Sequence, residues 1–237
     1  MQLAVMPYCG SPPVPAEAIV RWNFDPWLMA VLAAAYIACS RLGARSAPLM
    51  ASIAVLLVLF ASPLCALGSA LFSVRVSHHL ILTALAAPLI AVALPLARGS
   101  VTGWTAGHAV IWWVWHTPTA YAFALASDAG YWLMQGTLLL SAVGFWRAAR
   151  AAPPPVAVAG LLATMVQMGL LAALLTFSGV PVYGWHLITT EAWGLTPLED
   201  QQLAGLIMWV PGAGAYLGAA LWFAGGWFGE QKRLVRT

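Results

Sequence analysis

Two adjacent histidines, His78 and His79, stand near the head of "RVSHHLILTALAAPLIAVALP", a run otherwise apolar after its leading arginine. An ionisable side chain at membrane depth is costly and by default points at a partner, a cavity or a ligand. His116, Asp200, Cys65, Met134 and Gln135 are expected at a similar depth, with His186 contributed by a long loop above them. Three kinds of chemistry fit this set. The imidazoles and the acid can bond to one another and to carbonyls that prolines release, fixing helix packing. Imidazole and sulfur ligands suit Cu(I) and Cu(II), which makes His79, His116 and Asp200 candidate copper ligands, with His78, Met134, Gln135 and His186 as additional pocket residues. The third is a cavity carrying a substrate, proton or quinone, which Gln167 would join. Catalytic constellations are missing: there is no G-x-S-x-G and no H-E-x-x-H, so the chain is not expected to be an enzyme and no catalytic residue is assigned. Lys232 is the only lysine, which excludes a Schiff base within the bundle, and His108 alone in the inner half argues against two haems.

The elements that must position these groups are membrane helices. The 237 residues are 62% hydrophobic and 7% charged, with a mean hydropathy of +0.85, too apolar for a soluble core. Crossing ~30 Å of hydrocarbon takes about 20 apolar residues. Candidate spans run from Trp22 or Pro26 to Ala44, Pro48 to Leu71, Ser77 to Ala97, Trp104 to Leu125, Tyr131 to Ala149, Val156 to Gly179 and Leu203 to Phe223. The sequence therefore predicts an all-α membrane protein of seven transmembrane helices. Arg41, Arg45, Arg98, Arg147, Arg150, Lys232, Arg233 and Arg236 fall on one side, with Glu230 as the one acid. Glu17, Asp25, Asp128, Glu191, Glu199 and Asp200 fall on the other, with Arg21 and Arg75. By the positive-inside rule the N-terminus is outside and the C-terminus cytoplasmic. Tryptophan belts agree: Trp22, Trp27, Trp132, Trp185 and Trp193 at the outer surface, Trp104, Trp146, Trp222 and Trp227 at the inner one.

The expected organisation is an outer tail over residues 1–21, a membrane domain over 22–226 and a basic cytoplasmic tail over 227–237. The first 20 residues lack a basic n-region and a sustained apolar h-region, so no cleavable signal is expected. Cys9 reads as a free thiol in the outer tail, and Cys39 and Cys65 show no paired spacing. A net charge of +3 reflects topology and gives no reason to expect nucleic acid; the lipid bilayer is the expected surrounding. "TPLED" has the form of a capping box, with Thr196 as N-cap and Glu199 three residues on. Pro63, Pro88, Pro118 and Pro211 predict kinks, and Gly205, Gly212, Gly214 and Gly218 offer a face for close packing inside the chain.

Three stretches resemble the multi-spanning CtaG-type cytochrome c oxidase assembly proteins. They are "LFSVRVSHHLILTALAAPLIAVALP", "WHTPTAYAFALASDAGYWLMQGTLLLSAVGFW" and "TPLEDQQLAGLIMWVPG". The similarity runs from about Asp25 to Phe223. It implies a role in forming the copper centre of a haem-copper terminal oxidase, with a subunit of that oxidase as partner, in the bacterial cytoplasmic (inner) membrane. His79, His116, Pro118, Tyr121, Asp200 and Gln201 match positions of the family pattern. Arg75, Tyr131 and Gln135 stand where many members have histidine, and a permanently charged arginine cannot ligate a metal. The alternative function is a small transporter or channel using the outward-facing polar cavity.

Overall fold

The computed structural model describes residues 6–95 and 99–234. Arg98 and Arg236, two of the cations assigned to the cytoplasmic side, lie outside these residues. Every regular element described is helical. Helix α1 (Pro26–Arg41) starts where Asp25 accepts the Trp27 N–H and Pro26 occupies the first turn, a position that needs no donor. Helices α2 (Ser46–Ala61) and α3 (Leu64–Ala70) are bent by 45° at the Ser62–Pro63 break. α4 (Phe72–Ile81) passes through a π turn, Leu82–Ala86, into α5 (Ala87–Ala93). α6 (Val101–Trp115) and α7 (Pro118–Ala126) meet at His116 and Thr117; α8 (Asp128–Ala151) and α9 (Pro154–Phe177) are continuous. α10 (Pro197–Ile207) continues through a second π turn, Met208–Gly212, into α11 (Ala213–Leu234).

Proline explains each interruption. Pro88 has no N–H to give to Ala84 O and its ring displaces that carbonyl, so the preceding turn widens and Ala87 N–H reaches back to Leu82 O. The Thr83 carbonyl in this π turn is met from α8 by Trp146 Nε1–H at 2.9 Å. Pro211 sits within the second π turn, and Pro118 opens α7. Ser100, Thr117 and Ser127 cap α6, α7 and α8 with their hydroxyls, and the Thr196–Glu199 capping box is present in full.

Among the described residues three helical runs are long and apolar enough to cross a membrane: Phe72–Ala93, Pro154–Phe177 and Pro197–Gly229; the bent α2–α3 pair makes a fourth if it counts as one span. α1 is apolar but only 16 residues long. Large apolar side chains point outward, among them Val31 and Ile37 of α1, Leu170 and Leu174 of α9, Val210 of the second π turn and Leu221 of α11. The polar groups are turned inward, the reverse of a soluble protein. At one end, Arg147 and Arg150 donate to the Pro95 and Ala91 carbonyls, and Arg45 N–H to Ala93 O, where α5 runs out.

The glycines divide. A side chain at Gly205 would meet Thr176 and the Ala172 carbonyl, and one at Gly212 would touch Leu80 and Met168, so these two pack inside the chain as expected. Gly214 and Gly218 have nothing within 4 Å, which corrects the expectation that the whole face is used for internal packing.

Candidate functional site

At the end opposite these arginines, α3, the start of α4, the α6–α7 break, the first turns of α8 and the loop before α10 converge on a buried polar cluster. His78 and His79 are both buried, although adjacent helical positions diverge by about 100°. His78 turns to α2, where Nε2 lies 3.1 Å from Leu59 O; since a carbonyl only accepts, Nε2 carries the proton and Nδ1 is a bare, unpartnered nitrogen. His79 faces the bundle and lies 5.7 Å, ring centre to ring centre, from His116.

His116 closes α6, with Nδ1 2.7 Å from Trp112 O. The same logic places its proton on Nδ1 and leaves Nε2 bare, buried and without a partner. Its ring stacks on Trp112 at 4.9 Å, and its freed carbonyl accepts the Tyr183 hydroxyl at 2.8 Å. Gln135 bridges to His79 Nε2 at 3.4 Å. With the amide oxygen in that position, His79 Nε2–H donates and Nδ1 becomes a third bare nitrogen, while the opposite amide orientation leaves a proton there.

Asp200 stands apart from the histidine pair. Its Oδ2 accepts Phe72 N–H at 2.6 Å and its Oδ1 accepts Ser73 N–H at 3.1 Å and the Ser73 hydroxyl. The carboxylate is thus the N-cap that α4 lacks locally, because Leu71 has no capping side chain. Among the described residues no group of three or more His, Cys, Asp or Glu is arranged to hold a metal ion. Gln201 accepts Val182 N–H at 2.7 Å and donates to Leu175 O and Val180 O, fastening the loop to α9. Met134 is fully buried in the apolar core.

His186 lies in the loop, in the 3-10 turn Gly184–Ile188. Nδ1–H points to Ala70 O at 3.2 Å and Nε2 accepts the Tyr121 hydroxyl at 2.8 Å. Burial pushes its pKa down to about 3, against a smaller upward pull from the Ala70 carbonyl and with some further lowering by Arg75. With Trp185 Nε1–H on Ser69 O and Thr189 on Ala70 O, this loop satisfies the last carbonyls of α3.

Two features were not visible in the sequence. Cys9 is not a free thiol: it forms a disulfide with Cys65, 56 residues away. A turn at "PYCG" brings it in, with Gly10 at φ +88° and its carbonyl accepting from Ser69. Tyr8 stacks on Tyr131 at 4.9 Å and donates to Asp25, which holds the Asp25 carboxyl below its ordinary range. The second is Arg75, which is fully buried; it gives Nε–H to Gly68 O at 3.2 Å and lies 5.3 Å over the Tyr131 ring. Both terminal nitrogens have no partner.

Residues 101–230 match the family model of the cytochrome c oxidase caa3 assembly factor, more than half of the chain. The matched segment contains His116, Gln135, His186 and Asp200; Cys65, Arg75, His78 and His79 precede it. No curated protein and no solved structure matches the chain.

Proposed function

Because the chain belongs to the cytochrome c oxidase caa3 assembly factor family, we propose that it helps form the oxidase copper centre, holding Cu(I) between His79 and His116 and passing it to a subunit of a haem-copper oxidase. The observation that carries this reading is His116: a buried imidazole with Nδ1–H fixed on a backbone carbonyl and Nε2 bare, facing a second histidine. Metal-binding histidines are held in the same way, the nitrogen that does not ligate donating its N–H to a carbonyl and so fixing the ring and its tautomer. Two nitrogens hold a soft monovalent ion with room for an incoming ligand, which suits cargo that must leave. Asp200 is left out of the ligand set because its oxygens are committed to α4. The role is binding and delivery; no nucleophile or general base is required.

We place the protein in the bacterial cytoplasmic membrane, crossing seven times with the N-terminus outside. α1, α2–α3, α4–α5, α6–α7, α8, α9 and α10–α11 are the crossings. The disulfide supports an oxidising surrounding at the end with the histidines, and Arg45, Arg147 and Arg150 at the other end support a cytoplasmic location there. A transporter is not favoured, since His108 is bonded to Ser141 at 2.8 Å and Thr164 to Gly160 O at 2.9 Å, local pairings that line no path.

The test is an anaerobic Cu(I) titration against a competing chelator. The purified protein, disulfide intact, is compared with its His116→Ala variant, and oxidase activity is followed in cells that need the factor. Binding and oxidase activity should both fall in the variant while the fold is retained. Wild-type levels of both would overturn the proposal.

A further inference from the structure

Arg75 is a cation buried to 0% exposure, and among the described residues two of its nitrogens lack a hydrogen-bond partner and no carboxylate forms an ion pair with it. An uncompensated buried charge costs several kcal/mol, so a state in which a negative charge sits beside it is favoured. The Tyr131 ring beneath the guanidinium carries a hydroxyl that touches both sulfurs of the disulfide, Cys9 Sγ at 3.5 Å and Cys65 Sγ at 3.6 Å. Cys65 also lies one turn before Gly68, whose carbonyl holds Arg75 Nε–H. The Tyr121 and Tyr131 hydroxyls also lie near Arg75, but a phenol ordinarily ionises near about 10 and a thiol near about 8.5, so the two cysteines, once reduced, are the groups here that become anionic most readily.

We propose that Cys9 and Cys65, once reduced, form a second metal site, a two-thiolate site for Cu(I) with Arg75 as its counter-ion. Two thiolates and one Cu(I) carry a net charge of −1, which Arg75 neutralises; a divalent ion would leave the cluster positive. Thiolates are soft ligands that select Cu(I).

The reductant is a dithiol on the same side of the membrane. Its thiolate attacks Cys9 Sγ, the less deeply buried sulfur, forming a mixed disulfide and releasing Cys65 as a thiolate beside Arg75. The reductant's second thiol, deprotonated, then attacks its own sulfur of the mixed disulfide, leaves as the oxidised disulfide and frees the Cys9 thiolate. Two electrons pass from the dithiol to the cysteines, its two protons go to solvent, and Cu(I) then binds both sulfurs.

This site is separate from the histidine pair, and the experiment keeps the two apart. Full-length protein, reduced with a dithiol and then freed of it anaerobically, is titrated with Cu(I) against a chelator, and copper-edge X-ray absorption identifies the ligands. Wild type should gain about one Cu(I) on reduction, with sulfur scattering. The gain should vanish in Cys9→Ser, Cys65→Ser protein and persist in His79→Ala, His116→Ala protein. Arg75→Met should weaken it by about tenfold or more, and Arg75→Lys should restore most of it. A reduced wild type that takes up no more Cu(I) than the double serine variant, or that shows nitrogen ligands alone, overturns the proposal whatever the histidines do.

Discussion

Asp200 caps a helix that begins 128 residues before it in the chain, its Oδ2 accepting Phe72 N–H at 2.6 Å. The acid thus fixes the start of α4 and, with it, the height at which His78 and His79 enter the cluster two turns later. A carboxylate at a helix N-terminus is also favoured by the helix dipole.

Removing that cap should be a stability defect before it is a copper defect. Asp200→Ala leaves two buried N–H groups unpaired and should cost about 1–3 kcal/mol, read from unfolding in detergent. Asp200→Asn keeps one acceptor oxygen, loses less and should bind Cu(I) within about twofold of wild type, which is less than 0.5 kcal/mol. A folded Asp200→Asn protein without copper would put the carboxylate in the metal site.

Trp146 meets the carbonyl of the first π turn. Trp146→Phe keeps most of the packing but leaves Thr83 O without its donor in a dry interior, at a cost of about 1–3 kcal/mol. Hydrogen exchange should quicken around Leu82–Ala86 more than in α9. Equal quickening in both would mean that the bond does not hold the turn.

What the sequence revealed and what it hid follow from how local the physics is. The Thr196–Glu199 capping box spans three residues, and the proline interruptions at Pro63, Pro88, Pro118 and Pro211 act on their own turns, so both are legible. The inward placement of His79 and His116 follows from the cost of an imidazole in lipid. The Cys9–Cys65 bond joins a tail to a helix 56 residues away, and no spacing rule reaches that far. Asp200 was legible as a buried acid, but its partners are backbone N–H groups that carry no sequence signature. The glycine face failed halfway for a different reason: at about 100° per residue Gly205 and Gly212, seven residues apart, share one side of the helix and meet α9 and α4, whereas Gly214 and Gly218 fall on the opposite side, where nothing lies within 4 Å.

Those glycines give a paired test. Gly205→Ala drives a methyl into Thr176 and to 2.8 Å from Ala172 O, and should cost about 1–3 kcal/mol. Gly214→Ala and Gly218→Ala meet nothing and should be neutral or stabilising by up to about 1 kcal/mol. Thermal unfolding of the three single variants decides it; a loss at Gly214 similar to that at Gly205 would show that a neighbour packs on that face.

His186 should make the loop acid-sensitive. It is held neutral in the fold, with its pKa pushed down to about 3, while an unfolded histidine titrates near 6.5. Between these values the unfolded chain binds more protons than the folded one, so stability rises with pH across the window. On acidification the contribution is full above about pH 6.5 and is lost towards pH 3, by at most about 1.4 kcal/mol for each pH unit. Protonation would also place an N–H where the Tyr121 hydroxyl now donates at 2.8 Å. His186→Gln carries no titrating group, so its midpoint of unfolding should fall less than that of wild type between pH 6.5 and pH 4.5. Parallel slopes would assign the acid sensitivity to other groups. Limited proteolysis in the same pH range should cut wild type earlier within residues 183–195, because this loop loses its hold on the Ala70 carbonyl when the imidazole turns.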